Sequence, residues 1–494
     1  MTAHLPALQV LVPLGCAPLC LLLRRFRTVT WLVFLLAALS SLACAVLLAT
    51  RVDDGPLHYE MGGWPAPYGI EFVVAGFNTP VLLVVSVVAV VAAVYARRSV
   101  GDEVDDRRAP LVYTCLCLTL TGLLGLTVTG DVFNAFVFLE ISSLSTYALI
   151  AMGRRRRALL ASFRYLVIGT VGATFVLIGI GFAYAVTGTL NMADLADRLT
   201  DLDGNRALYA AVVFVFVGLA VKMAVFPLHA WLPAAYGEAP SAVSTFLAAA
   251  STKVAIYVFC RFAFTVFGAG LVFTTMPVGE VGLLLAALAM LVGSAAACFQ
   301  RDLKYLLAWS SVAQIGYIVA GISLATAAGV SAGYLHVINH AVIKGALFGA
   351  AGLLVLRLGS ARLDDLAGLG RRMPWTFAAI VVTGLGLVGV PPTAGFASKW
   401  ALVSALLDAG AWPVLVAVLA SSLLALVYVG RIVEAAWFRD PPADLPADQP
   451  RAPVSMVAAV WALVLLSVYF GIDASLPGGL ADAAAAALLG TGGA

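Results

Sequence analysis

Apolar residues run through this chain in blocks of about twenty, separated by short clusters of arginine, proline and glycine. A helix of that length crosses the hydrocarbon layer of a bilayer. The pattern predicts spanning helices near 7–23, 31–50, 73–96, 109–128, 132–152, 161–185, 209–234, 241–265, 277–298, 304–324, 331–356, 376–406, 411–436 and 453–471. The expected fold class is therefore an all-α polytopic membrane protein with about 14 transmembrane helices. The closing stretch ADAAAAALLGTGGA is too short to span.

Two of these spans carry internal breaks. Pro227 and Pro233 bracket FPLHAWLP in the seventh, and Pro391 and Pro392 interrupt GLVGVPPTAGFASKW in the twelfth. Proline removes a backbone donor and clashes with the preceding turn. At membrane depth such a break is tolerated where protein or a water-filled cavity surrounds it. A kinked structural helix is the plain reading of either one. Paired breaks in the two halves of a chain point instead to an inverted-repeat transporter.

Charge placement sets the expected orientation. One set of alternate loops carries Arg24, Arg25, Arg27, Arg97, Arg98, Arg107, Arg108, Arg154 to Arg157, Arg301, Lys304, Arg357, Arg362, Arg371, Arg372, Arg439 and Arg451. The other set offers only Arg51, Arg198, Arg206 and Arg261. Basic loops stay cytoplasmic, so both termini are expected on the outside. The first apolar stretch has its arginines after it and no small-residue cleavage site, which reads as a retained first span.

With 62% hydrophobic and 11% charged residues, the soluble globular class is excluded. The seven cysteines all lie in or beside apolar runs, with no thiolate-cluster or zinc spacing, and read as small buried hydrophobes. GLGLVG at 384–389 lacks the strand–helix context of a nucleotide loop and reads as helix packing. No nucleophile–base pair and no haem or iron–sulfur ligand pattern is visible, so no cofactor and no metal is expected, nor any nucleic acid.

The informative exceptions are ionisable residues inside the apolar runs: Glu140, Lys222, Lys253, Lys344 and Lys399. A charge at membrane depth is costly and by default marks a pathway or relay for charge. Asp131 is placed to cap the fifth span, which sets Glu140 nine residues in, roughly 13 Å deep at 1.5 Å per residue. Ser143 and Tyr147 fall near the same face and could hydrogen-bond it. Paired with a lysine on another helix, Glu140 would form a switchable ion pair; a purely structural pair is the alternative. Lys222 precedes Pro227 by five residues, and Lys253 lies about halfway along the eighth span beside Ser251 and Thr252. Burial disfavours an ammonium, so lysine can exchange a proton where arginine cannot. Snorkelling to an interface is the ordinary alternative, and it fits Lys344 better than the mid-span Lys253.

His336, His340 and Lys344 follow at i, i+4 and i+8 on one helical face. They fit either packing and hydrogen bonding or a hydrated proton wire, while a zinc site would lack its third ligand. His229, beside the first break, could cap broken backbone. Lys399 follows the second break and would end such a wire.

Taken together, FNAFVFLEISSLSTYALIA, KMAVFPLHAWLPAAYGEAPSAVSTFLAAASTKVAIY, RDLKYLLAWSSVAQIGY, HVINHAVIKGALF and PPTAGFASKW resemble the large proton-translocating subunits shared by Mrp-type multisubunit cation/proton antiporters, respiratory complex I and membrane-bound hydrogenases. The resemblance covers roughly residues 50 to 435. It implies fourteen helices with two inverted five-helix repeats and breaks in helices 7 and 12. The implied division is 1–108 for helices 1–3, 109–265 for the first proton-channel repeat, 277–436 for the second, and 437–494 for helix 14 and a short tail. Glu140, Lys222, Lys253 and Lys399 fall on the family's glutamate and lysine positions, the last being lysine in some members and glutamate in others. WPAPYGIEF and the lack of a long C-terminal extension most resemble the D-type subunits of the Mrp branch. The chain departs from them at Val73 and Ala75, where charged residues are usual.

What the resemblance implies is a secondary-transporter subunit of a bacterial plasma membrane, surrounded by lipid and working with other membrane subunits. Protons would pass from Lys222, controlled by Glu140, through Lys253 and the His336/His340/Lys344 face to Lys399, coupled to Na+ movement. The alternatives are a pumping subunit of a quinone-reducing or hydrogenase complex, and a structural subunit with a degenerate pathway.

Overall fold

The computed structural model describes residues 4–52, 55–200, 202, 204–441 and 452–490. Arg451, part of the basic loop set, and residues 491–494 of the closing stretch lie outside the described residues.

Helices α1 (Leu5–Leu22) and α2 (Arg27–Ala49) lead into a two-stranded antiparallel hairpin, β1 (Leu57–Glu60) and β2 (Glu71–Val74). Then come α3 (Thr79–Glu103), α4 (Ala109–Val128), α5 (Val132–Ala151), α6 (Arg156–Thr187), the short α7 (Met192–Leu199), α8 (Arg206–Met223) and α9 (Leu232–Glu238). The second half holds α10 (Ser241–Cys260), α11 (Val278–Phe299), α12 (Leu303–Ser323), α13 (Ala327–Leu358), α14 (Pro374–Val388), α15 (Ala394–Asp408), α16 (Trp412–Phe438), α17 (Val454–Ile472) and α18 (Ser475–Leu489). Among the described residues, thirteen of these helices are long and apolar enough to cross a membrane, α14 and α18 are shorter apolar helices of 15 residues each, and α15 is also 15 residues long. Apart from the hairpin, the protein is an all-α polytopic membrane protein.

Burial separates a central layer from a lipid-facing shell. α12 buries 94% of its apolar window whereas α11 buries 33%. A helix apolar all round belongs in the interior. α13 packs against α10, α12, α15, α17 and α18, which makes it the hub of the second half. Residues 481–489 of the closing stretch, too short to span, fold as part of α18, a helix laid on α13.

The third span starts later than its apolar pattern suggests. Residues 71–74 are taken by β2, and Asn78 fixes the turn that follows. Its Oδ1 accepts from the Ala75 amide at 2.9 Å, and its Nδ2 donates to the carbonyls of Val73 (2.7 Å) and Thr127 (3.1 Å). Pro80 then sits in the first turn of α3, where its missing amide costs nothing. Val73 and Ala75 are both buried here, so the apolar side chains suit their surroundings.

Two residues of the loop charge pattern are buried in helices. Arg261 lies in a π-helical turn that continues α10 to Val266, and Lys304 lies in the first turn of α12, 5% exposed. The Arg155 guanidinium donates to the Gly359 carbonyl at 3.0 Å, joining the loops after α5 and α13.

Candidate functional site

α5 starts where expected. The Asp131 carboxylate accepts from the Asn134 amide at 2.7 Å and satisfies one of the free donors at the helix start. Burial raises the Asp131 carboxyl above the usual range, against the pull of its bonds from Asn134 and Phe133. Nine residues on, Glu140 faces the end of α8, which stops at Met223 because Ala224 adopts a left-handed conformation with φ 58°. The Trp231 indole donates to the Val221 carbonyl at 2.9 Å and so satisfies backbone freed by the break. Trp231 stacks on Tyr165 with ring centroids 3.8 Å apart, which pins the broken segment to α6.

Lys222, in the last turn of α8, lies 3.6 Å from Glu140 Oε1, with side-chain exposures of 3% and 22%. The hydroxyls expected to serve Glu140 serve Lys222 instead. Its Nζ donates to Ser143 Oγ at 2.8 Å and to Tyr147 Oη at 3.5 Å. The reason is local: Ser143 spends its own hydrogen on the Leu139 carbonyl (2.7 Å), which leaves lone pairs suited to an ammonium and none of the donor capacity a carboxylate needs.

Lys253 is fully buried in α10; its ammonium donates to the Ala248 carbonyl and, at 3.5 Å, to Thr252 Oγ1. Lys344, fully buried in α13, donates to the Leu307 carbonyl (2.8 Å) and Ser310 Oγ (2.6 Å) of α12. It is held inside the protein, so the snorkelling alternative does not describe it.

His336 bridges three helices, with Nε2 2.8 Å from Gln314 Oε1 on α12 and Nδ1 2.8 Å from Ser398 Oγ on α15. One turn on, the His340 ring lies nearly parallel at 6.0 Å, and neither of its nitrogens has a protein partner. Next to Ser398, Lys399 donates to the Leu387 (2.7 Å) and Val388 (3.1 Å) carbonyls and to Ser422 Oγ (2.9 Å), with Tyr317 Oη at 3.4 Å. His229 has its Nδ1 unpartnered, packs between Phe226 and Trp309, and bonds to the backbone of Pro227 at the break.

The fold thus brings Glu140 to Lys222, and His336 to Ser398 beside Lys399. Among the described residues no hydrogen bond or ion pair joins the first group to Lys253, or Lys253 to the histidines. Residues not singled out from sequence complete the network: Gln314, Ser310, Tyr317, Ser398 and Ser422. Gln314, in the middle of the apolar run WSSVAQIGY, is the one readable signal among them.

Comparison with known proteins adds an independent line. The family described as "NADH:quinone oxidoreductase/Mrp antiporter, TM" matches residues 129–425. The N-type subunit of the NADH-quinone oxidoreductase of Desulforudis audaxviator is 44% identical over 446 residues, covering 90% of this chain and 88% of that protein. The D-type subunit of the Na(+)/H(+) antiporter of Bacillus subtilis is 30% identical over 490 residues, covering 98% and 96%. A chain of the Mrp complex from Dietzia sp. DQ12-45-1b superposes with a TM-score of 0.90 at 27% identity, covering 99% of this chain and 98% of that one.

Proposed function

The chain belongs to the NADH:quinone oxidoreductase/Mrp antiporter transmembrane family, and on that premise we propose that it is the proton-translocating subunit of a multisubunit Na+/H+ antiporter. The observation that carries the reading is the Glu140–Lys222 pair. A buried ammonium at the end of an interrupted helix faces a partly accessible carboxylate at 3.6 Å, without a tight hydrogen bond between them. A proton arriving on Glu140 cancels its attraction for Lys222 and frees the ammonium to hand its own proton inward. Lys253, the His336/His340/Lys344 face and Lys399 then supply titratable groups through the central layer, with water bridging the gaps between them. None of these groups performs bond-making chemistry, so in the antiporter downhill proton entry supplies the energy and is coupled to Na+ export with other membrane subunits.

Counting α14 and α15 as one interrupted span gives fourteen spans. Two inverted repeats of five spans, 109–265 and 277–436, each have their interruption in the fourth span: 224–231 in the first and 389–393 in the second. On this reading the arginine-rich face is cytoplasmic and both termini lie outside, which the bias of basic residues between alternate loops supports.

A second reading has its own support. The 44% identity to a subunit named for NADH-quinone oxidoreductase exceeds the 30% to a named antiporter subunit, which favours a redox-driven pump using the same residues.

Purification of the tagged protein in mild detergent, with identification of what accompanies it, separates the two. Small membrane subunits alone, with Na+-dependent proton movement in reconstituted vesicles, establish the antiporter. Flavin or iron–sulfur subunits establish the pump. Within either complex, Glu140→Ala is expected to abolish proton movement with assembly intact; near-normal movement overturns the relay.

A further inference from the structure

A second buried carboxylate lies outside this relay. Glu238 is the last residue of α9, 7% exposed, and lines a cleft of about 330 Å³. The cleft opens among Arg154, Arg155, Asp302 and Gly359, which belong to the loops of the arginine-rich face. The Tyr305 hydroxyl donates to Glu238 Oε1 at 3.0 Å, while Oε2 is buried without a protein partner. Such an oxygen bears the full cost of leaving water and calls for an explanation in water or in function.

The surroundings hold this carboxylate in place, and among the described residues no ion pair reaches it. Lys304 does not make a salt bridge to it; its ammonium donates to the Ala239 carbonyl at 2.6 Å and caps the C-terminal end of α9. Glu103, on the far wall, is fully engaged: its Oε2 accepts from both the amide and the hydroxyl of Ser241 at 2.8 Å, and its Oε1 from Ser99 at 2.6 Å. Glu103 therefore acts as a cap for α10 and Lys304 as a cap for α9. Among the described residues lining the cleft, Glu238 is left as the carboxylate with a buried oxygen that has no partner.

α12 connects the cleft to the interior. Lys304 lies one turn before Leu307, whose carbonyl holds the Lys344 ammonium at 2.8 Å, and residues three apart on a helix are about 5–6 Å neighbours. The cleft thus ends about a turn of α12 away from the innermost lysine of the second half.

We infer that Glu238 is the group that exchanges protons between Lys344 and the aqueous cleft on the arginine-rich face. The Oε2 carboxylate takes a proton relayed by water from the Lys344 ammonium, becomes a neutral acid, and gives that proton to water in the cleft; Tyr305 holds Oε1 throughout. This inference rests on the relay proposed above.

The test compares Glu140→Gln, Glu238→Gln and Glu238→Asp in the assembled complex, with proton movement followed in inside-out vesicles and assembly checked by co-purification. Glutamine keeps an acceptor for Tyr305 but carries no proton. Glu140→Gln and Glu238→Gln are each expected to lower the rate by about tenfold or more, with Glu238→Asp restoring most of it. If Glu140→Gln is inactive and Glu238→Gln runs normally, the inference is wrong and the relay stands. If Glu140→Gln runs normally, the relay itself falls and the inference with it. Should Glu238→Gln fail to assemble, Glu238→Cys decides. Labelling by a membrane-impermeant maleimide above the unsubstituted background, from the arginine-rich face only, supports the inference; labelling from the other face, or none, overturns it.

Discussion

Lys399 donates to the Leu387 carbonyl at 2.7 Å, so a charged group on α15 closes the C-terminal end of α14 across the break. The free carbonyls of a helix end carry partial negative charge and favour a cation. This decides what the position can accept. Lys399→Glu would set a carboxylate against two carbonyl oxygens and is expected to prevent stable assembly, although relatives of the resembling family use glutamate there. Lys399→Arg keeps the charge but cannot release a proton. It should assemble and lose transport by about tenfold or more, read as proton movement in vesicles.

The two members of the Glu140–Lys222 pair differ in burial, 22% and 3% exposed, so their removal should not cost the same. Glu140→Gln leaves a buried ammonium with no opposing charge and is expected to destabilise by about 3 kcal/mol. Lys222→Met leaves a carboxylate that still reaches solvent and should cost less. The double variant should be more stable than Glu140→Gln alone. Thermal unfolding of the detergent-solubilised complex measures all three.

Gly389 has φ +90°, a conformation that side chains rarely adopt, and a Cβ there would meet Lys399 Cδ at 2.8 Å. Gly389→Ala is therefore expected to cost about 1–3 kcal/mol in backbone strain and to displace the lysine as well. A lowered unfolding temperature together with reduced transport is the expected result; an unchanged pair would mean the break relaxes freely.

The stacked histidines should separate by phenotype. His336→Leu strands Gln314, and leaving a buried polar group unpaired costs about 1–3 kcal/mol, while Ser398 keeps the Ala394 and Gly395 carbonyls. His340 has no protein partner to strand, so His340→Leu should leave thermal stability nearly unchanged while stopping proton movement. Equal losses of stability in both would contradict the contacts seen here.

Much of the architecture is legible along the chain. Blocks of apolar residues mark the spans because a bilayer imposes one length on every helix that crosses it. Glu140, Lys222 and Lys399 stand out because a charge in such a block is rare. The start of α3 is misplaced by hydropathy because an apolar β2 strand runs straight into the turn at Asn78, and hydropathy does not register a change of backbone.

Lys304 and Glu238 show the opposite limit. Both stand beside prolines, acids and arginines and read as loop charges or not at all, yet both are buried. Whether a charge at a helix end is solvated depends on which neighbouring helix covers it.

By itself, then, the sequence determined that this is a helical membrane protein, which residues could carry charge inside it, and where its backbone breaks, because these follow from local composition and proline chemistry. Only the tertiary structure decided partners: Ser143 to Lys222 rather than to Glu140, His336 to Gln314 and Ser398, Lys399 to the end of α14. Those pairings join residues far apart in the chain, and a hydrogen bond reaches only about 3 Å, so nothing short of the packed helices can select them.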